Sequence, residues 1–423
     1  MPAETGDLER ATIRRVTRRL IPFLFVLYIA NYLDRVNVSF AALQMNHDLG
    51  FSGAAYGLGA GIFFLGYCLC QVPSNLLLAR VGARRWIAAL MVAWGLIASS
   101  MMFVQGVASF YALRFLLGVV EAGFFPGMIL YLTYWFPATY RAQSVARFMT
   151  AIPLAQVVGG PISGALLGMR GVGGLAGWQW LFLLEGLPSI LLGGLVLFYM
   201  TERPEQAAWL PAEGKAWLAE QLRREHSVTE SRPGFGRIVR DGKIWQLAVL
   251  WFLLIVMSYG QLLWLPQIIK GASGLGDLAV GVLSVIPPLA AAIAMLLVAT
   301  HSDRTGERHR HVAIPSVVAA AGFVATAAVL HSPLLATAAL TVVAIGLAGT
   351  YGPFWGLATA ALGSTAAAGG IALINSVGNL GGFAGPYIVG LVKDATGSFA
   401  GALVTFAGLA IAAALFALRL LKS

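Results

Sequence analysis

The sequence predicts an all-α polytopic membrane protein, twelve transmembrane helices in two bundles of six, with both termini cytoplasmic. Three observations lead there. The 423-residue chain is 58% hydrophobic and 11% charged, with a mean hydropathy of +0.79, a composition that water does not dissolve. Apolar runs recur along its whole length, each supplying the ~20 residues a helix needs to cross about 30 Å of hydrocarbon. Lys and Arg are divided unevenly between the connections: 23 fall on one side of the spans and only Arg170, Lys270 and Lys393 on the other, which makes the first side cytoplasmic. The net charge of +10 is therefore a topology signal and no ground for a nucleic-acid partner.

The spans fall at 20–44, 53–79, 86–105, 107–135, 143–168, 178–200, 244–269, 278–300, 312–330, 333–361, 367–392 and 398–420. Residues 1–19 precede them with Arg10, Arg14, Arg15, Arg18 and Arg19, and with Ile13, Val16 and Leu20 on another helical face. That pattern predicts a basic amphipathic segment on the anionic inner leaflet. Asp34-Arg35 interrupts the first run, so it reads as a retained span and not as a signal peptide. The first bundle covers 20–200 and the second 244–423. The polar stretch between them, 201–243, is too short for a domain and reads as a cytoplasmic linker with one surface helix around Trp217 and Leu218.

Four ionisable residues interrupt the apolar runs: Asp34 and Arg35 in the first span, Arg114 and Glu121 in the fourth. Each costs about 3 kcal/mol at membrane depth and normally faces a protein interior or a wet cavity. Tyr28, Tyr32, Arg35 and Ser39 form one helical stripe, with Asn31 and Asp34 on an adjoining face, so Arg35 addresses a central cavity and Asp34 a neighbouring helix. Arg114 and Glu121, seven apart, lie nearly one above the other. Burying four charges for stability alone is a poor exchange, so the set predicts a pathway for protons and an anion. Asp34 and Glu121 are the proton-coupling candidates, Arg35 and Arg114 the anion ligands. With both acids ionised the four charges cancel; protonating one or both leaves net positive charge, and an anion then binds.

Neutral polar residues extend the candidate substrate site: Tyr28, Tyr32, Tyr67 (in line with Gln71 and Asn75), Gln156 and Asn375 (beside Asn379). Lone membrane amides also simply tie helices together. Tyr259, Gln261, Trp264, Tyr351 and Trp355 are further candidates, with the interfacial aromatic belt as the competing reading. The second half has no ionisable residue at membrane depth, which places coupling in the first. Glu185, near one end of the sixth span, reads first as a partner for a loop or helix end and stands next in line, with Asp34, as a coupling carboxyl should Glu121 not serve.

Arg80-Val81-Gly82-Ala83-Arg84 and Arg304-Thr305-Gly306-Glu307-Arg308 share an R-x-G-x-R pattern, each in the cytoplasmic turn after the second span of its half. Repeated halves are what two-bundle transporters are built from. Both turns resemble the D-R-x-G-x-R signature of the major facilitator superfamily, with Asp303 completing the second copy and Ala79 replacing the Asp of the first. NYLDRVNVS (31–39), QVPSNLLLARVGARRW (71–86), RFLLGVVEAGFFPGMILYLTYWFP (114–137), WLFLLEGLP (180–188) and NSVGNLGGFAGP (375–386) are similar to the anion:cation symporter family. The resemblance implies the major facilitator fold, alternating access, and a monomer in a bacterial cytoplasmic membrane that imports a sugar acid, hydroxy diacid or aromatic acid with protons. It implies gating roles for Arg80, Gly82, Arg84, Asp303, Arg304, Gly306 and Arg308, and strengthens Asn375 as a substrate contact.

No cofactor or metal is expected. The coupling ion is read as H⁺ because no oxygen-rich Na⁺ site is evident. Cys68 and Cys70 lack metal or redox spacing, His309 and His311 lack partners for a metal site, and Gly378, Gly381, Gly382 and Gly385 suit close helix packing. Neither a P-loop, a nucleophile elbow nor an HExxH motif is present, which argues against an enzyme. An exporter or antiporter stays open beside the importer; a channel would bring a symmetric polar pore, and a sensor a signalling domain.

Overall fold

The computed structural model describes residues 2–226 and 240–420; residues 227–239 of the linker lie outside the described residues. Eleven helices in the described residues are long and apolar enough to cross a membrane. A twelfth span is carried by the helical run Pro333–Thr396, whose 64 residues would reach about 96 Å if straight, three times the hydrocarbon thickness. Its two parts run in opposite directions. Gly346 packs on Pro315 and Ala319 of the ninth span (His309–Ala328), while Asp394 meets Gly53 at the outer start of the second span (Gly53–Val81).

The first span is one helix with the basic segment, Pro2–Val36, followed by Val38–Asp48. Ile13, Val16 and Leu20 are buried within the protein, Thr12 lies against Gly214 of the linker helix Ala212–His226, and Tyr140 donates to Glu9. The Arg19 guanidinium sits 4.0 Å from the centre of the Tyr199 ring. The expected leaflet-bound segment is thus a cytoplasmic extension of the first span. Its apolar stripe is used against the protein, and Arg14, Arg15 and Arg18 face outward.

Three spans are broken along their length, each just ahead of a proline. The fourth divides into Val107–Glu121 and Phe124–Trp135, because Pro126 has no N–H to offer the Ala122 carbonyl. The fifth divides into Ala138–Met149 and Ala151–Leu167 ahead of Pro153, and the eighth into Asp277–Leu283 and Ile286–Thr305 ahead of Pro287-Pro288. The first of these breaks leaves Glu121 as the last residue of a half-helix at mid-membrane depth.

The two halves are sealed together on the outer side. Backbone approaches backbone there because glycines face each other: a Cβ on Gly281 of the eighth span would lie 2.3 Å from the Gly160 carbonyl oxygen of the fifth, and a Cβ on Gly57 would lie 2.4 Å from that of Pro386. Polar links cross the same seam. Gln44 donates to Asp277 at 2.7 Å, Tyr56 to the Leu263 carbonyl at 2.7 Å, and Asp394 accepts from the Gly53 and Ala54 N–H groups at 2.8 and 2.7 Å. Burial works against the Asp394 charge, but the Ala54 and Gly53 donors hold its carboxyl below the usual carboxylate range. This contribution is complete above the ordinary carboxylate range and fades only as pH falls through the lowered value, so the latch persists between pH 5 and 8.

With spin labels at the exposed outer positions Val172 and Leu334, one in each half, Gly281→Leu should shift the interspin distances toward longer values by wedging the seam apart. Asp394→Ala should act in the same direction by about 1 kcal/mol, roughly a fivefold change in population, because the exposed carboxylate is partly screened. Distance distributions identical to wild type for both variants would show that the seam does not control outer closure.

Candidate functional site

Arg35 and Glu121 meet at the centre of the first half. Glu121 is fully buried, and its Oε2 accepts from Arg35 Nη2 at 3.0 Å, Arg35 Nε at 3.2 Å and Asn31 Nδ2 at 3.0 Å. Arg35 Nη2 also donates to Asn31 Oδ1 at 3.4 Å. Asn31 and Arg35 are one turn apart, so the amide joins the Arg35 side of the helix and not, as the sequence reading had it, the Asp34 side. All three donors converge on one carboxylate oxygen. Glu121 Oε1 is buried and has no hydrogen-bond partner among the described residues.

Arg114 does not touch Glu121. Its Nη2 donates to the Ala60 carbonyl at 3.1 Å and its Nε to that of Gly59 at 3.4 Å, and it is 1% exposed, so its fork is turned into the second span and away from open space. Phe63 stands between the two arginines, its ring centre 5.3 Å from the Arg35 guanidinium carbon and 5.1 Å from that of Arg114. Tyr67, one turn further along the second span, lies 5.2 Å from Arg35. Phe63 was missed in the sequence; its signal was its place one turn before Tyr67 in an otherwise generic apolar stretch.

Asp34 points the other way, between the third and sixth spans. Trp94 Nε1 donates to its Oδ2 at 3.1 Å and Ser189 Oγ to the same oxygen at 2.5 Å, while Oδ1 is buried without a partner among the described residues. Among the described residues no cation is in hydrogen-bond contact with it. Glu185 lies one turn before Ser189, buried, with Oε1 accepting from Ser163 Oγ at 2.7 Å. Its contact is therefore a hydroxyl within the fifth span, inside the bundle, and not the loop or helix end that the sequence suggested.

The remaining candidates frame the space between the halves. Gln156 Nε2 donates to the Tyr32 hydroxyl at 2.8 Å beside a cavity lined by Ser39, Gly159, Ser163 and Leu262. Tyr28 is buried and stacked on Phe148 at 4.6 Å, held within the first half. From the second half, Tyr259 packs edge-on against Phe64 at 4.3 Å, Tyr351 donates to Ser258 at 2.6 Å, and Trp251 contacts both Tyr351 and Trp355. Asn375 is half-buried on the eleventh span. Gln261 and Trp264 bind the Leu340 and Pro386 carbonyls, so they fix helices.

The two repeated turns are built differently. Gly82 adopts φ +92°, and Glu202, arriving after the sixth span, accepts from the Ala83 and Arg84 N–H groups at 2.7 and 2.9 Å, while Arg84 donates to the Leu197 carbonyl and Arg80 is exposed. In the second turn Gly306 has φ +69°, Asp303 pairs with Arg308 at 2.6 Å, Arg308 also reaches Ser302 Oγ at 3.1 Å, and Arg304 is exposed. Positive φ at both glycines is what the shared pattern requires of its central position.

Residues 24–386 match the Major Facilitator Superfamily. The chain is 50% identical over 421 residues to a putative tartrate transporter of Agrobacterium vitis, covering 99% of this chain and 93% of that one. It is 42% identical over 399 residues to a quinolone resistance transporter of Acinetobacter baumannii, covering 94% and 92%. Its fold matches the crystal structure of a bacterial homolog to the human lysosomal transporter Spinster with a TM-score of 0.80 at 16% identity, over 95% and 96% of the two chains. The protein is a multi-pass membrane transporter and not an enzyme, and the chain belongs to the Major Facilitator Superfamily.

Proposed function

We propose that the protein imports a small organic carboxylate across a bacterial cytoplasmic membrane by proton symport, with hydroxy diacids such as tartrate as the first substrates to test. The observation that carries this reading is the Arg35–Glu121 pair, in which one internal carboxylate occupies the guanidinium that a substrate carboxylate would need. Protonating Glu121 weakens its hold on Arg35. The fork of Nε and Nη2 is then free to take a substrate carboxylate in two parallel hydrogen bonds. Proton and anion therefore load together, each making the other's binding more favourable through the shared arginine. Arg114, locked on main-chain carbonyls behind Phe63, adds positive potential from behind the aromatic ring. Tyr67, Gln156 and Tyr32 from one half, and Asn375 and Tyr259 from the other, supply hydroxyl and amide contacts for the rest of the molecule. The half-helix ends at Glu121 and around the eighth-span break allow the bundles to rock about this site, giving alternating access.

The identity to a tartrate transporter supports the substrate class. The identity to a quinolone resistance transporter favours a second reading, proton-driven export, which uptake into right-side-out membrane vesicles under an inward proton gradient separates from the first.

Arg35→Lys keeps the charge and loses the fork, so tartrate affinity measured by calorimetry should fall at least about tenfold, with Arg35→Ala weaker still. Near-normal affinity in both would remove Arg35 from the site. Glu121→Gln fixes the released state: tartrate should still bind, uptake against a gradient in proteoliposomes should be lost, and tartrate exchange at equal pH should survive within a fewfold of wild type. Uphill accumulation equal to wild type would place coupling on another carboxyl.

A further inference from the structure

Glu185 is a buried carboxyl that the exchange at Arg35 does not use. No cation contacts it among the described residues. Ser163 of the fifth span donates to Oε1, the Asn37 amide of the first span faces it without closing a hydrogen bond, the third span brings the neutral Ser99 against the adjoining Gly186, and Asp34 is close enough to feel its charge. Oε2 is buried and without a partner among the described residues, as are Asp34 Oδ1 and Glu121 Oε1. Two of the carboxyls form a row: Glu185 is one turn from Ser189 on the sixth span, with no hydrogen bond between them here, and Ser189 donates to Asp34, while Glu121 lies apart on the Arg35 side of the first span. The row descends inward. Glu185 lies eight residues, about 12 Å, from the outer end of the sixth span at Gly177, and Ser189 one turn deeper.

The outer end of the row lies against the gate. Ser163 lines the cavity between the halves and sits between Gly160 and Gly164, the two glycines that seal against Gly281 and Asp277. With the seam closed, as here, Ser163 is 1% exposed and Glu185 is cut off from outer water; parting the seam would open Ser163 to it.

We propose that Glu185 is a third proton-handling carboxyl, which takes a proton from the outer side through Ser163 while the gate is open and passes it to Asp34 through Ser189. In the transfer the Glu185 side chain turns to Ser189, which it does not touch here, and its carboxyl O–H gives its proton to Ser189 Oγ as the Ser189 hydroxyl proton moves to Asp34 Oδ2, leaving Glu185 as the anion and Asp34 neutral. Glu185 acts through Asp34 and is a positioning and relay residue, not a substrate ligand. The inference rests on the proton-symport reading.

The test uses the full-length protein in proteoliposomes, with tartrate as probe and internal and external pH dyes. Wild type is measured first, then Glu185→Gln, which keeps an acceptor for Ser163, and Ser189→Ala. Proton-driven uptake by Glu185→Gln should fall about tenfold at outer pH 7.5 and recover toward wild type at outer pH 5, where direct loading of Asp34 suffices. Its exchange at equal pH should stay within twofold, and Ser189→Ala should show the same pH-dependent defect in weaker form. An outer-pH profile matching wild type overturns the relay alone, and a parallel loss of uptake, exchange and thermal stability overturns it in favour of a structural role. Absence of tartrate-linked proton movement in wild type overturns the symport reading and the relay with it.

Discussion

A charge at membrane depth has to be compensated, and at the centre of the first half the compensation is a single contact, Arg35 with Glu121 Oε2. Much of the first half serves to place it. The Pro126 break sets Glu121 at the end of a half-helix, Asn31 fixes the carboxylate from one turn below Arg35, and Phe63 and Tyr67 cover the guanidinium with aromatic faces. A buried ion pair is weak evidence for stability, because taking both charges out of water costs about as much as their attraction returns. Near-balance is what a carrier needs, since a third party can then tip it. In the mechanism proposed above, a proton on Glu121 and a carboxylate on Arg35 are the two ligands that do so, each favouring the other.

Asp34 and Arg114 follow different solutions to the same constraint. Asp34 is surrounded by neutral donors, and Arg114 by main-chain carbonyls, so neither is matched to an opposite charge in contact. Summing the four charges as one cavity, as the sequence invites, merges environments that the structure keeps apart. Only the Arg35–Glu121 contact is positioned for competition with a substrate.

Much of the fold was legible because membrane spanning imposes length and polarity on each segment, and the basic turns orient them. The separation of Asp34 from Arg35 could also be read, since neighbours on a helix point about 100° apart. Asn31 was grouped with Asp34, about 60° away around the helix, although Arg35, four residues on and only about 40° away, was the nearer neighbour. The fork of Arg114 was expected in open space, but carbonyls of the second span receive it, and nothing in a sequence reports a side chain bonding to the backbone of another helix. Gly160 and Gly281 were invisible as a pair: small residues signal close packing, but their partners lie in the other half of the chain. The apolar stripe of residues 1–19 packs on the protein because such a stripe fits a neighbouring helix as well as it fits lipid.

The central claim is that the proton on Glu121 and the anion on Arg35 are linked through one guanidinium, and the pH dependence of tartrate affinity in the purified protein tests it most directly. The account predicts that wild-type affinity weakens as pH rises, approaching tenfold per unit where one proton is taken up per anion bound, and that Glu121→Gln binds tartrate with an affinity nearly independent of pH. Equal slopes for the two proteins would contradict it.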